Sequence, residues 1–118
     1  LMNNDFKSFK SKNSIIAMTG HLLFNKIDTE NNSTHSKKII KIIRNKIRFK
    51  NLLVTDDLSM KALKGTMKDK VIKSFTAGCN IVLHCNGNLN EMRIVAENSP
   101  IIDKFVLKKT SQLFNIIG

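Results

Sequence analysis

Leu52-Leu53-Val54-Thr55-Asp56-Asp57-Leu58-Ser59-Met60-Lys61-Ala62 is a short apolar run that ends in two adjacent carboxylates and then takes up a spacing that suits a helix. Strands buried on both faces of an α/β protein read as near-continuous apolar runs, and in parallel folds the reactive groups sit at the strand C-termini. Two aspartates at such a point have little packing purpose and an obvious chemical one. Residues adjacent on an extended strand point to opposite sides, so Asp56 and Asp57 are not expected to share one site. Asp57 is the better candidate for capping the turn that follows. Capping or loop anchoring by both carboxylates is the alternative.

The same alternation extends on either side. Upstream, Ser14-Ile15-Ile16-Ala17-Met18-Thr19 reads as a strand closing on Gly20-His21, followed by a loop from Leu22 to Ser33. Ser33 or Thr34 can cap a helix on which Ile39, Ile40, Ile43 and Ile47 form an apolar stripe, with Lys37, Lys38, Lys41 and Arg44 on the wetter face. Downstream, Val71, Ile72 and Phe75 make a helical stripe that ends at Gly78, and Ile81-Val82-Leu83 forms a third buried strand before His84-Cys85-Asn86-Gly87. Asn88 with Glu91 three residues on has the form of a capping box, with Leu89, Met92 and Val95 turned inward. Asn98-Ser99-Pro100 then breaks that helix, and Ile102, Phe105, Val106 and Lys109 continue at helical spacing. Strand and helix alternate three times, which predicts parallel strands joined by right-handed crossovers. Three such strands leave two open edges, and a closed barrel of eight βα units needs about 250 residues. The chain therefore reads as part of a (β/α)8 TIM barrel, with a small three-layer α/β domain as the alternative.

Composition narrows the function classes. With 118 residues the chain is one domain at most, and 42% hydrophobic with 25% charged residues is ordinary for a globular protein. The net charge of +11 favours acidic partners, but the lysines are scattered and the chain has neither Trp nor Tyr, which argues against nucleic acid. Cys79 and Cys85 lack the second pair of a metal site and are read as buried reduced thiols. No apolar run spans a membrane, and Leu1-Met2-Asn3-Asn4-Asp5 has neither the charge nor the apolar core of a signal peptide, so a cytoplasmic protein is expected. His84 is read as structural and His35 as solvated.

The segments Met18-Thr19-Gly20-His21, Asp28, Ser33-Thr34, Phe49 to Met60, and Ala77-Gly78-Cys79-Asn80-Ile81-Val82-Leu83-His84-Cys85-Asn86, in this order, resemble glycoside hydrolase family 3. Within it they are most similar to the bacterial branch that removes N-acetylglucosamine from cell-wall muropeptides in the cytoplasm. The resemblance places residues 1–118 in the C-terminal part of that family's catalytic barrel, about its last three βα units. It implies that Asp56 is the nucleophile of a retaining β-N-acetylhexosaminidase. Such an enzyme needs an ionised carboxylate on one face of the anomeric carbon and a proton donor across from it. It implies that His21 lines the sugar pocket or braces the nucleophile, although a histidine satisfied by a loop carbonyl would look the same. No cofactor and no metal are implied.

Two departures matter. Phe49-Lys50-Asn51 stands where the family usually has Gly-Phe-x-Gly, and the family's histidine–aspartate acid/base segment has no counterpart in the chain. General acid catalysis contributes about 10²- to 10⁴-fold, so the chain alone is expected to be inactive. The expected partners are N-acetylglucosamine-containing cell-wall fragments and the N-terminal part of the barrel, with no membrane. A non-catalytic basic interaction module is the second reading, and an independent α/β enzyme using Asp56 as a general base the third.

Overall fold

The computed structural model describes residues 14–21 and 25–117. The N-terminal stretch read for a leader, and Leu22 to Phe24 at the start of the first loop, lie outside the described residues. Three strands form one parallel sheet in the order β1 (Ile16–Thr19), β2 (Leu52–Asp57), β3 (Ile81–Leu83). Around it run α1 (Lys37–Asn45), α2 (Met67–Ala77), α3 (Leu89–Asn98) and α4 (Lys104–Ile117), and a 3-10 turn over Ser33–His35 precedes α1. The alternation expected from the sequence is the observed order.

β2 is central because its sequence can be buried. Leu52, Leu53, Val54 and Thr55 are all buried, whereas β3 is only half-buried, as suits an edge strand. β1 pairs with β2 in unbroken register from Ile16 opposite Leu52 to Thr19 opposite Thr55. β2 against β3 is not unbroken: Val54 faces Ile81 and Asp57 faces Leu83, so β2 carries one extra residue over that span. Such a bulge bends a strand and re-aims its side chains. Here it falls at Thr55 and Asp56. The Thr55 hydroxyl accepts the Leu83 N–H at 3.1 Å, a side-chain bond at the irregular part of the ladder, and the Leu83 carbonyl then takes the Leu58 N–H at 2.9 Å.

The isoleucine stripe of α1 packs as its spacing requires. Ile39, Ile40 and Ile43 are buried with Phe49, Leu53, Ala77 and Cys79, and Ile47 lies against this cluster. Burying three isoleucines contributes on the order of 6 kcal/mol before the entropy of ordering them. Gly78 closes α2 at φ +120°, and a Cβ there would come within 2.8 Å of the Ile40 side chain. A second cluster of Leu58, Leu63 and Val71 lies under the exit of β2, with Val82 and Val95 against it.

Several local readings need correction. Ser36 caps α1, its hydroxyl accepting the Ile39 N–H, while Asn32 caps the 3-10 turn. Ser33 and Thr34 belong to that turn. Arg44 is not on a wet face: its guanidinium donates to the carbonyls of Phe49 (2.9 Å) and Asn51 (2.6 Å) and to Asn80 Oδ1 (2.7 Å), and it lies over the rings of Phe49 and Phe105. That clamp occupies the turn before β2, where the sequence lacks the family's glycines. Asn88 caps α3 but the box is half-made, because Glu91 turns to His84 and Asn86. Leu89 and Met92 are exposed rather than inward, and only Val95 of that trio joins a core. Ile101 at 93% exposure and the outward Phe114, Ile116 and Ile117 leave α4 and its approach largely uncovered.

Asp28 organises the loop after β1. Its buried carboxylate accepts the N–H groups of Glu30 and Asn31 and the Ser36 hydroxyl at 2.7 Å. The Ser36 bond, with the two backbone bonds, outweighs burial and holds the carboxyl down at about 2. A depressed carboxyl stabilises the fold fully above its unfolded value near 3.8, and the stabilisation is lost as pH falls toward 2. Asp28→Asn is expected to cost about 2 kcal/mol at neutral pH and to flatten the stability profile between pH 4 and 2. Urea midpoints measured across that range test it, and a variant as acid-sensitive as the parent would refute the assignment.

Candidate active site

The C-terminal ends of β1 and β2 meet at one rim. His21, buried just beyond β1, spans the two: Nε2 lies 2.9 Å from the Asp57 carbonyl and Nδ1 lies 2.7 Å from the Thr34 hydroxyl. A carbonyl only accepts, so Nε2 donates to Asp57, while Nδ1 shares the Thr34 hydroxyl, which also donates to the Gly20 carbonyl at 3.3 Å. The Thr19 and Thr34 hydroxyls are hydrogen-bonded to each other at 3.1 Å. A continuous chain Thr19–Thr34–His21–Asp57 therefore ties β1, the 3-10 turn and β2 together behind the aspartates. Thr19 and Thr34 are fully buried, so each link is shielded from competing water. The sequence singled out His21 but gave no reason for Thr19 and Thr34, whose partners lie 13 to 15 residues away.

The two aspartates part company, as their neighbouring positions require. Asp57 is anchored: one oxygen accepts the N–H groups of Ser59 and Cys85 at 3.0 Å each, and the other accepts the Ser59 hydroxyl. Burial pushes its carboxyl up, but these bonds and the nearby His84 outweigh it and hold the carboxyl below the usual range. Asp57 thus caps the turn after β2 and fastens the exit of β3 to it. Asp56 makes one hydrogen bond among the described residues, from the Asp57 N–H to Oδ1 at 2.8 Å. Its second oxygen has no such bond there. Asp56 is half-buried and lies at the bulge.

The loop after β3 completes the rim. His84 Nε2 bonds Glu91 at 2.8 Å, and Asn86 Nδ2 reaches the same carboxylate oxygen at 2.8 Å. The His84 side chain is 5% exposed, which agrees with a structural role, although its Nδ1 has no hydrogen-bond partner among the described residues. Of the cysteines, Cys79 is buried, and burial pushes its thiol up to about 11, while Cys85 lies exposed on the rim rather than in the core. His35 is not solvated: its Nε2 lies 3.2 Å from the Lys70 carbonyl, and burial foremost lowers it to about 4. Among the described residues no group of three His, Cys, Asp or Glu side chains could hold a metal ion, and no helix is long and apolar enough to cross a membrane.

A parallel α/β sheet with polar side chains gathered at the C-terminal ends of its strands has the architecture of a section of a (β/α) barrel, the face at which such barrels carry their sites. The chain belongs to glycoside hydrolase family 3: residues 2–113 match the glycosyl hydrolase family 3 N-terminal domain. It is similar to the β-hexosaminidase of Photobacterium profundum, 26% identical over an alignment of 119 positions that covers 95% of this chain and 36% of the relative. A β-hexosaminidase of Neisseria meningitidis serogroup C is 31% identical over 69% of the chain and 23% of its own length. Among solved structures, the β-N-acetylhexosaminidase of Beutenbergia cavernae superposes with a TM-score of 0.65 at 25% identity, covering 71% of this chain and 26% of that one. The β-N-acetylglucosaminidase of Thermotoga maritima does so with a TM-score of 0.61 at 26% identity, covering 85% and 24%. The chain thus spans about a third or less of the length of these relatives, and its fold is a section of their TIM barrel.

Proposed function

We propose that residues 1–118 supply the nucleophile half of a retaining β-N-acetylhexosaminidase site and form the C-terminal part of its barrel domain. The observation that carries this reading is Asp56: a half-buried carboxylate at a strand end, with one oxygen bound to its own strand and no hydrogen bond to the other among the described residues. In the proposed reaction that oxygen attacks the anomeric carbon as the bond to the aglycone breaks, giving a covalent glycosyl-enzyme. Water then attacks the same carbon and releases the sugar with its configuration retained. His21 serves as a positioning residue, because it holds the Asp57 carbonyl and hence the Asp57–Leu58 peptide, one residue beyond Asp56. Fixing a nucleophile this way lowers the entropy cost of the attack, where an error of 1 Å can cost about 10²-fold.

The substrate class in this reading is a terminal β-linked N-acetylglucosamine on a cell-wall muropeptide, handled in the cytoplasm. The family resemblance supports it, and the β-hexosaminidase names of the relatives support the hexosaminide class alone. The proton donor and the residues that grip the N-acetyl group would come from outside residues 1–118. The chain alone is therefore expected to release no chromophore from an aryl N-acetylglucosaminide. Co-expression with the part of the Photobacterium profundum β-hexosaminidase that precedes its matched segment is expected to restore release. Turnover by the chain alone would overturn the division of labour, and a correctly assembled but silent complex would overturn the hydrolase reading.

A further inference from the structure

Beside His21 the rim opens into a cavity of about 220 Å3 that also meets Asn31, His35, Lys64 and Lys73, with Glu30 as the one acidic residue lining it. Its charge is not balanced by ion pairs. Lys64 and Lys73 are exposed, and the one ion pair among the described residues is His84 with Glu91, elsewhere on the rim. Behind the His35 wall a further cation is buried. Lys70 is 9% exposed, and its ammonium donates 2.9 Å to the Leu58 carbonyl with no carboxylate in ion-pair reach among the described residues. A lysine-rich helix face facing bulk water needs no explanation, but a concave one lined by two lysines, two histidines and one carboxylate does. Low-dielectric walls focus such a field into the cleft. The amide side chains of Asn31 and Asn32 add neutral donors to the same wall.

We propose that this cleft is an anion subsite, which takes a carboxylate or phosphate group of a ligand whose neutral end lies at Asp56. That the anion belongs to the aglycone of the hydrolysed glycoside rests on the hydrolase reading above. The anion site itself does not. Inorganic phosphate and, separately, acetate titrated into the full chain and followed by amide NMR shifts test it. Saturable shifts confined to Asn31, Asn32, His35 and Ala62 are expected. The double variant Lys64→Gln/Lys73→Gln is expected to weaken the apparent Kd at least tenfold. Lys104→Gln/Lys108→Gln removes the same charge from exposed positions on α4 and is expected to change it less than twofold. Shifts spread over the whole surface, or equal weakening by both double variants, would reduce the effect to general attraction by a chain of charge +11 and overturn the proposal. Saturation by phosphate alone supports a phosphate ligand, and saturation by both anions a carboxylate-sized site. Inorganic phosphate needs no sugar pocket, so this result stands or falls apart from any test of Asp56.

Discussion

In the complex restored with the upstream part of a relative, Asp56→Asn is expected to lower turnover of an aryl N-acetylglucosaminide by about 10⁴-fold or more, with the fold unchanged. An amide is nearly the shape of a carboxylate but carries no charge and is a poor nucleophile, so the covalent step loses its reactant. Removing a nucleophile by mutation costs on this order where the remaining groups still bind and polarise the substrate. The structural cost should be small. Asp56 accepts one backbone N–H from its own neighbour, and an asparagine carbonyl oxygen can accept the same bond. The thermal midpoint of the chain should therefore move by less than about 3 °C, a shift of well under 1 kcal/mol for a protein this size. Both readouts are needed. Activity that survives the substitution removes the nucleophile assignment. A collapse of activity with a collapse of Tm would assign Asp56 the anchoring role that the sequence left open for both aspartates.

What the sequence made legible was whatever depends on one short window. The apolar run at Leu52, the stripe at Ile39, Ile40 and Ile43, and the stop at Gly78 each follow from spacing and backbone preference, and each is where the sequence put it. Asp57 as a cap was legible for the same reason, since its Ser59 partner is two residues away. What escaped was set by long-range pairing. The bulge at Thr55 and Asp56 depends on how β3 aligns with β2, which no single strand encodes. The Thr19–Thr34–His21 chain joins groups that only the folded sheet brings together. Charge misled at Arg44, where a residue expected in water instead satisfies two carbonyls and an amide at the turn before β2. Periodicity misled at Leu89 and Met92. Their apolar character fits a helix face, yet these described residues are exposed, because an amphipathic pattern says that a face is to be covered without saying by what.

Asp57→Ala should behave in the opposite way to Asp56→Asn, with a large loss of stability and a smaller loss of activity. Three donors, the N–H groups of Ser59 and Cys85 and the Ser59 hydroxyl, lose one charged acceptor together. Hydrogen bonds to charged groups contribute about 1.5–3 kcal/mol each, but bonds sharing one acceptor do not add and water reaches this half-buried rim. A net cost of about 3 kcal/mol is expected, a fall in Tm of roughly 10 °C for a domain of this size. The dependence on pH has a definite sign. The folded carboxyl lies below its unfolded value near 3.8, so its contribution is complete above that value and fades as pH falls through the folded one. The variant should lose this acid-side slope and match the parent most closely at the lowest pH. Because Asp57 also links the exits of β2 and β3, its loss should let Asp56 drift and reduce kcat about 10²-fold with KM little changed. Asp57→Asn retains one acceptor oxygen and should recover part of both effects. An alanine variant with the parent's Tm but no activity would mean that the Asp57 carboxylate meets the substrate itself, and the roles assigned to the two neighbours would have to be exchanged.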